Sequence, residues 1–257
     1  MNERTPLPGK SVIFFDVNQT LIRQNISFET SFREVWKDYT ARWYSDSVPS
    51  PEELWQHYLN EWQQRKKLRT ALLPLDDVQH QCLVEALRPW DVPVSASMLR
   101  SFMQEVRLRQ VRAKTPAPGT LETLDALAGK YRLAIISNSP RDEVLLLLSR
   151  FGLTKYFPEA SIFTASKTSE KKPAPALFKA ALSALQLPPK QAVMVGNSWK
   201  HDIVGAVKAG MDAVWLNGSV EPYSHPEAKK VSRQKLGKRY VFLIRTLTQL
   251  PSLLSEP

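Results

Sequence analysis

The sequence has a single cysteine, Cys82, in 257 residues. That excludes a disulfide within the chain and a cysteine metal cluster. Cys82 itself reads as a helix-face residue, not a nucleophile. No apolar run approaches the roughly 20 residues that a membrane-spanning helix needs. The opening MNERTPLPGK has no apolar signal-peptide core, so the expectation is a cytoplasmic protein with no membrane contact. Glycine is scarce, at 9 residues, and there is no internal repeat and no low-complexity segment, which excludes a fibrous or linker-rich chain. Acidic residues are the minority charge, 25 against 35 Lys and Arg, for a net charge of +10. Two basic clusters contribute to the excess, Arg65-Lys66-Lys67-Leu68-Arg69 and Lys229–Arg239. No aromatic stacking motif or recognition-helix signature accompanies them. They read as solvated helix faces and a loop that attract small anions, not as a nucleic-acid surface.

What is present is a chain with a core: 43% of its residues are hydrophobic. Ser11–Leu21 reads SVIFFDVNQTL, an apolar run of strand length ending in Asp16, with Thr20 four residues on. A carboxylate there sits at the carboxyl edge of an α/β sheet, where ligands bind, and can act as nucleophile or metal ligand; on this motif alone it can equally be a strand-end aspartate that caps the next turn. A second strand pattern, 132–137, ends in Ser137-Asn138. Lys172-Pro173 stands just before a helical pattern over Pro175–Leu185. A third strand, 192–196, runs into Gly196-Asn197 and then Asp202.

Further strands are expected at 161–164, 212–216 and 240–244, with helices at 120–128, 140–151, about 200–209 and 247–254. Repeated strand–helix units predict a doubly wound, parallel α/β sheet. Between the first strand and this repeat lies a helical region over 23–111, punctuated by Pro49, Pro51, Pro74, Pro89 and Pro93 into about four helices. It holds five of the seven tryptophans. The expected domains are therefore 1–22 with 112–257, and 23–111.

The order Asp16, Ser137, Lys172, Gly196-Asn197, Asp202 resembles the haloacid dehalogenase-like hydrolase superfamily, over about Lys10–Leu21 and Arg112–Leu216. The resemblance implies a Rossmann-like core with a helical cap at 23–111. It makes Asp16 the nucleophile and Lys172 the group that neutralises charge. Val17 and Asn18 would offer backbone amides to a phosphate, Thr20 would steady their loop, and Ser137 and Asn138 would bind the transferring group. Asp16, Asn18, Asn197 and Asp202 would hold Mg²⁺.

Two positions depart from the family pattern. Asn18 stands where phosphatases of the family carry an aspartate acid/base, and an amide has no proton to exchange at neutral pH. Asn197 stands where an aspartate ligates metal, so Mg²⁺ binding is expected to be weak. Asp16 and Asp202 against Lys172 leave a net charge of about −1 without any metal, so metal-free function stays open.

The expected function is a hydrolase with an aspartate nucleophile acting on a small phosphoester, for example a nucleotide or sugar phosphate. A second reading is a degenerate, non-catalytic member that binds a phosphorylated ligand or a partner. A third is a metal-independent hydrolase of 2-haloacids. That branch of the family has a tyrosine at the position of Asn18 and a shorter spacing than the five positions from Asn197 to Asp202. Arg33, Trp36, Arg42 and Trp43 are candidate specificity residues on the first helices, although aromatic residues at helical spacing are more often core. His201 reads as a surface residue at a helix start. The pattern leaves the oligomeric state open.

Overall fold

A computed structural model describes residues 7–41, 48–68, 75–90, 92, 94–218 and 231–254. Candidates Arg42 and Trp43 lie outside these residues, as do the side chains of Lys66–Arg69 and the residues Lys229-Lys230. The chain divides into two compact units, Met1–Arg23 with Thr115–Pro257, and Gln24–Lys114.

The first unit is built on a seven-stranded sheet. Its strands are β1 (Val12–Phe15), β4 (Arg132–Ser137), β5 (Ile162–Thr164), β6 (Ala192–Gly196), β7 (Asp212–Leu216), β8 (Ser232–Leu236) and β9 (Arg239–Ile244), in the order β5-β4-β1-β6-β7-β9-β8. All neighbours pair in parallel except β8, which runs antiparallel to β9 at the edge. Side chains alternate between two buried faces, as the two-residue period of a strand requires. Ile13, Phe15, Leu133, Ile135, Val193 and Val195 enter one apolar cluster; Val12, Phe14, Ala134, Ile136, Ala192 and Met194 enter the other. Fully burying each large side chain contributes roughly 1.5–3 kcal/mol. The helices of this unit are α5 (Thr120–Ala128), α6 (Arg141–Arg150), α7 (Pro175–Ala184), α8 (Val204–Lys208) and α9 (Leu250–Leu254).

The strand order reverses at β1. The chain proceeds from β1 to β4 and β5 on one side, then returns to β6 and β7 on the other. Open α/β sheets bind ligands beyond the carboxyl ends of the strands at such a reversal. Asp16 follows β1, and Asn197 follows β6.

The expected last strand is present but has an unforeseen partner. The basic stretch expected to be a loop forms β8, and Gly237 makes the hairpin turn with φ +61°. Arg233 of β8 stacks over the ring of Tyr240, 4.5 Å from its centre. The expected helix at 200–209 opens as a π-helical turn, Trp199–Ile203, before α8. Two short strands, β2 (Ile22–Gln24) and β3 (Lys114–Pro116), form a separate two-stranded sheet.

The second unit contains α1 (Phe28–Thr40), α2 (Pro51–Leu68), α3 (Leu75–Leu87) and α4 (Ala96–Arg112). Ser27 caps α1 by accepting from the Thr30 N–H at 3.0 Å, and Ser95 caps α4 by accepting from Met98 at 3.1 Å. Phe32, Trp36, Leu83, Phe102 and Cys82 share its core. The ring of Phe32 lies 4.7 Å from Tyr58 and 4.9 Å from Phe102. Among the described residues no helix is long and apolar enough to cross a membrane.

Candidate active site

Three buried charges meet at the carboxyl ends of β1, β4 and β6. The ammonium of Lys172 donates to Oδ1 of Asp16 and to Oδ1 of Asp202, each at 2.6 Å, and to the carbonyl of Ile136 at 2.8 Å. All three donors of the ammonium are thereby used. Lys172 is 4% exposed, Asp16 8% and Asp202 1%, so water does little to screen them. Burial pushes the Asp16 carboxyl up to about 6; the Lys172 charge opposes this, and the negative charge of Asp202 adds to it. Burial disfavours the Lys172 charge, but the two carboxylates outweigh it and raise its pKa.

Each charge is held by its own stretch of chain. The Asp16 N–H donates to the Val195 carbonyl at 2.9 Å, extending the pairing of β1 with β6. The loop then closes on the Val17 carbonyl, which accepts from Thr20, Leu21 and Ile22. Gln19 takes a left-handed conformation with φ +60°. The Val17 N–H also favours the ionised form of Asp16. Asp202 can approach because residue 196 is glycine: a Cβ there would lie 2.4 Å from Oδ2 and Cγ of Asp202. Oδ2 of Asp202 accepts from the Ser198 N–H at 2.9 Å. Lys172 is joined to Pro173 by a cis peptide bond.

The other expected site residues on the strand ends and loops make the following contacts. Asn138 is expected to bind the transferring group, but its side chain is committed to Lys172: Oδ1 accepts from the Lys172 N–H at 2.7 Å, and Nδ2 donates to the Lys172 carbonyl at 3.0 Å. Ser137 is 1% exposed, and its hydroxyl accepts from the Ser139 N–H at 3.2 Å. Asn18 donates through Nδ2 to the Ser139 hydroxyl at 2.8 Å. Thr20, fully buried, donates to Oδ1 of Asn197 at 3.4 Å and ties the first loop to the fourth. Ser139 and Ser198 are the residues the sequence reading missed. The signal for Ser139 was a third small polar residue in Ser137-Asn138-Ser139, immediately before Pro140.

The remaining candidates have partners of their own. Trp36 is fully buried, and its indole N–H donates to the Pro49 carbonyl at 2.8 Å, which makes it core. Arg33 pairs with Glu29 and Glu52. His201 is exposed beside Ser198, with Nδ1 3.0 Å from the Ser198 hydroxyl.

Magnesium fits the chemistry of the donor set, weakly. The set is made of hard oxygens, which suit Mg²⁺. Both oxygens of Asp202 are engaged by Lys172 and Ser198, so Asp202 serves Lys172 before it serves a metal. Asp16, with one oxygen on Lys172, and the amide oxygens of Asn18 and Asn197, the latter shared with Thr20, are the groups that could hold it. Among the described residues no group of three or more His, Cys, Asp or Glu forms a metal cluster.

A family model described as haloacid dehalogenase-like hydrolase matches residues 13–216. A pyrimidine 5′-nucleotidase of Escherichia coli is 28% identical over 80% of this chain and 85% of its own length. A glyceraldehyde 3-phosphate phosphatase of Methanothermobacter thermautotrophicus is 34% identical over 45% of this chain; the match spans only half the length of that relative. Among solved structures, a Bacillus subtilis hydrolase bound to magnesium superposes with a TM-score of 0.63 at 19% identity, covering 96% of this chain and 99% of that one. At that identity the likeness shows the fold.

Proposed function

The chain belongs to the haloacid dehalogenase-like hydrolases, and from that premise we propose that it is a phosphatase in which Asp16 attacks the phosphorus of a small phosphorylated substrate. The observation that carries this reading is the Lys172 ammonium bridging Asp16 and Asp202 at 2.6 Å each. Asp16 is the nucleophile. Lys172 keeps it oriented and offsets the negative charge that builds as the phosphoryl group arrives. Asp202 holds Lys172 in place. Ser137 and the backbone amides after Asp16 bind phosphoryl oxygens, in the manner of a main-chain nest. Magnesium, when held by Asp16 with the amide oxygens of Asn18 and Asn197, supplies further charge neutralisation at the phosphoryl group.

The names of the relatives support phosphorylated metabolites as the substrate class. In chain position the unit Gln24–Lys114 corresponds to the helical cap that the resemblance implies.

The test is phosphate release from a panel of phosphorylated metabolites, with Mg²⁺ and with chelator. Activity that disappears in Asp16→Asn supports the reading. Silence on the whole panel, with phosphorylated ligands still bound, overturns it in favour of a binding protein. Halide release from 2-haloacids in chelator overturns it in favour of a dehalogenase.

A further inference from the structure

Resting on the phosphatase reading, the contacts around position 18 narrow the substrate by its leaving group. A phosphate ester of an ordinary alcohol needs a proton delivered to the departing oxygen, because an alkoxide is a poor leaving group. Asn18 stands where the family's phosphatases have an acid, and its amide donates to the Ser139 hydroxyl at 2.8 Å. Neither an amide nor a serine hydroxyl exchanges a proton readily near neutral pH. Among the described residues, the other groups at the cluster are already engaged. All three donors of the Lys172 ammonium are occupied. Asp202 holds Lys172 and the Ser198 N–H with its two oxygens. His201 is exposed and turned to Ser198.

We propose that this site is built for phosphoryl compounds whose leaving group departs without a proton, namely acyl phosphates and phosphoric anhydrides. In the first step an oxygen pair of Asp16 forms a bond to phosphorus. The bond from phosphorus to the leaving oxygen breaks, and its electron pair leaves on that oxygen as a carboxylate or phosphate anion. No proton moves. In the second step a water oxygen bonds to phosphorus, the bond to Asp16 breaks and returns its pair to the carboxylate, and one water proton passes to solvent. With no base beside Asp16 at position 18, this second step is the slow one. The phosphorylated Asp16 therefore accumulates during turnover of a reactive substrate.

The experiment compares acetyl phosphate, 4-nitrophenyl phosphate, phenyl phosphate and glycerol phosphate as substrates of the full chain, wild type and Asn18→Asp. The expected result is a fall in kcat/KM as the leaving group becomes more basic, with glycerol phosphate slower than acetyl phosphate by more than about 10⁴-fold. Asn18→Asp narrows that ratio by about 10²-fold or more. A rapid-quench burst of one phosphoryl group per chain on acetyl phosphate, absent in Asp16→Asn, is expected of the wild type and needs no folded Asn18 variant. Wild-type rates on glycerol phosphate within tenfold of acetyl phosphate, or no burst, overturn the leaving-group proposal while the phosphatase reading stands. Absence of phosphate release and of a phosphorylated Asp16 with every substrate overturns both.

Discussion

The side-chain amide of Asn138 grips the backbone of Lys172 on both sides, accepting from its N–H at 2.7 Å and donating to its carbonyl at 3.0 Å. This is the pairing that two strands make, supplied by one side chain. It aims the lysine from β4, so Lys172 depends on a residue 34 positions earlier. Asn138→Ala is expected to lower kcat about 10²-fold, the scale on which a displacement near 1 Å matters, and to cost about 1–3 kcal/mol for two part-buried hydrogen bonds. Asn138→Asp, which keeps only the acceptor, falls between. Steady-state kinetics beside urea denaturation separate the two effects. Wild-type kinetics in Asn138→Ala would remove Asn138 from the positioning of Lys172.

Gly196 is required by close approach. A methyl group there lies 2.4 Å from the carboxylate of Asp202, and Asp202 is pinned by Lys172 and Ser198. Gly196→Ala is expected to destabilise by about 1–3 kcal/mol, as overpacking does, and to reduce turnover by pushing Asp202 off Lys172. The urea midpoint at unchanged slope is the measurement.

Asp16 makes stability and activity move in opposite directions with pH. Its carboxyl is raised to about 6 from an ordinary value of 3.8, first by burial and then by Asp202, with Lys172 opposing. The folded state therefore holds a proton that the unfolded state has released between those values. The stabilisation from this group is present below about pH 4 and is lost as pH rises through about 6. Asp16→Asn should remove that slope and melt higher than wild type at pH 8. Turnover should rise as pH passes through about 6, because the attacking form is the carboxylate. Thermal melts of both proteins from pH 4 to 8, with a pH–rate profile, test the two statements together.

On the proposed function, Asn197 is expected to limit magnesium binding. Replacing its neutral amide oxygen by a carboxylate adds a negative charge to the donor set of Asp16, Asn18 and Asn197, and affinity for hard cations grows with ligand charge. Asn197→Asp is expected to tighten Mg²⁺ binding about tenfold or more by calorimetry. The same substitution removes the amide that accepts from Thr20 without removing an acceptor, so the fold should tolerate it. Unchanged affinity would mean that position 197 is not a metal ligand.

Much of the sheet is legible in the sequence, because β1, β4 and β6 are buried on both faces and read as short apolar runs ending in polar residues. Strand β8 is not. Ser232–Leu236 is SRQKL, exposed along most of its length, and an edge strand that buries little shows no hydrophobic period. Its basic residues suit an edge that must not pair with another chain. Strands β2 and β3, at three residues each, are too short to show any period. The π-helical turn before α8 depends on Ser198 capping His201 and holding Asp202, a contact set that local propensity does not encode. In the site, Asp16, Lys172 and Asp202 were legible as strand-end and loop charges in a recognisable order. Their partners were not: Asn18 meets Ser139 across 121 positions and Thr20 meets Asn197 across 177.

By itself the sequence determined which side chains stand at the ends of buried strands, since apolar runs and their breaks are local properties of the chain. Only the tertiary structure decided that one ammonium lies between two carboxylates, that the Asn138 side chain holds the backbone of that lysine, and that Asn18 is held by a serine. Those outcomes depend on the parallel order of β4, β1 and β6, which brings residues far apart in sequence within hydrogen-bond reach, and on burial, which makes each such contact count.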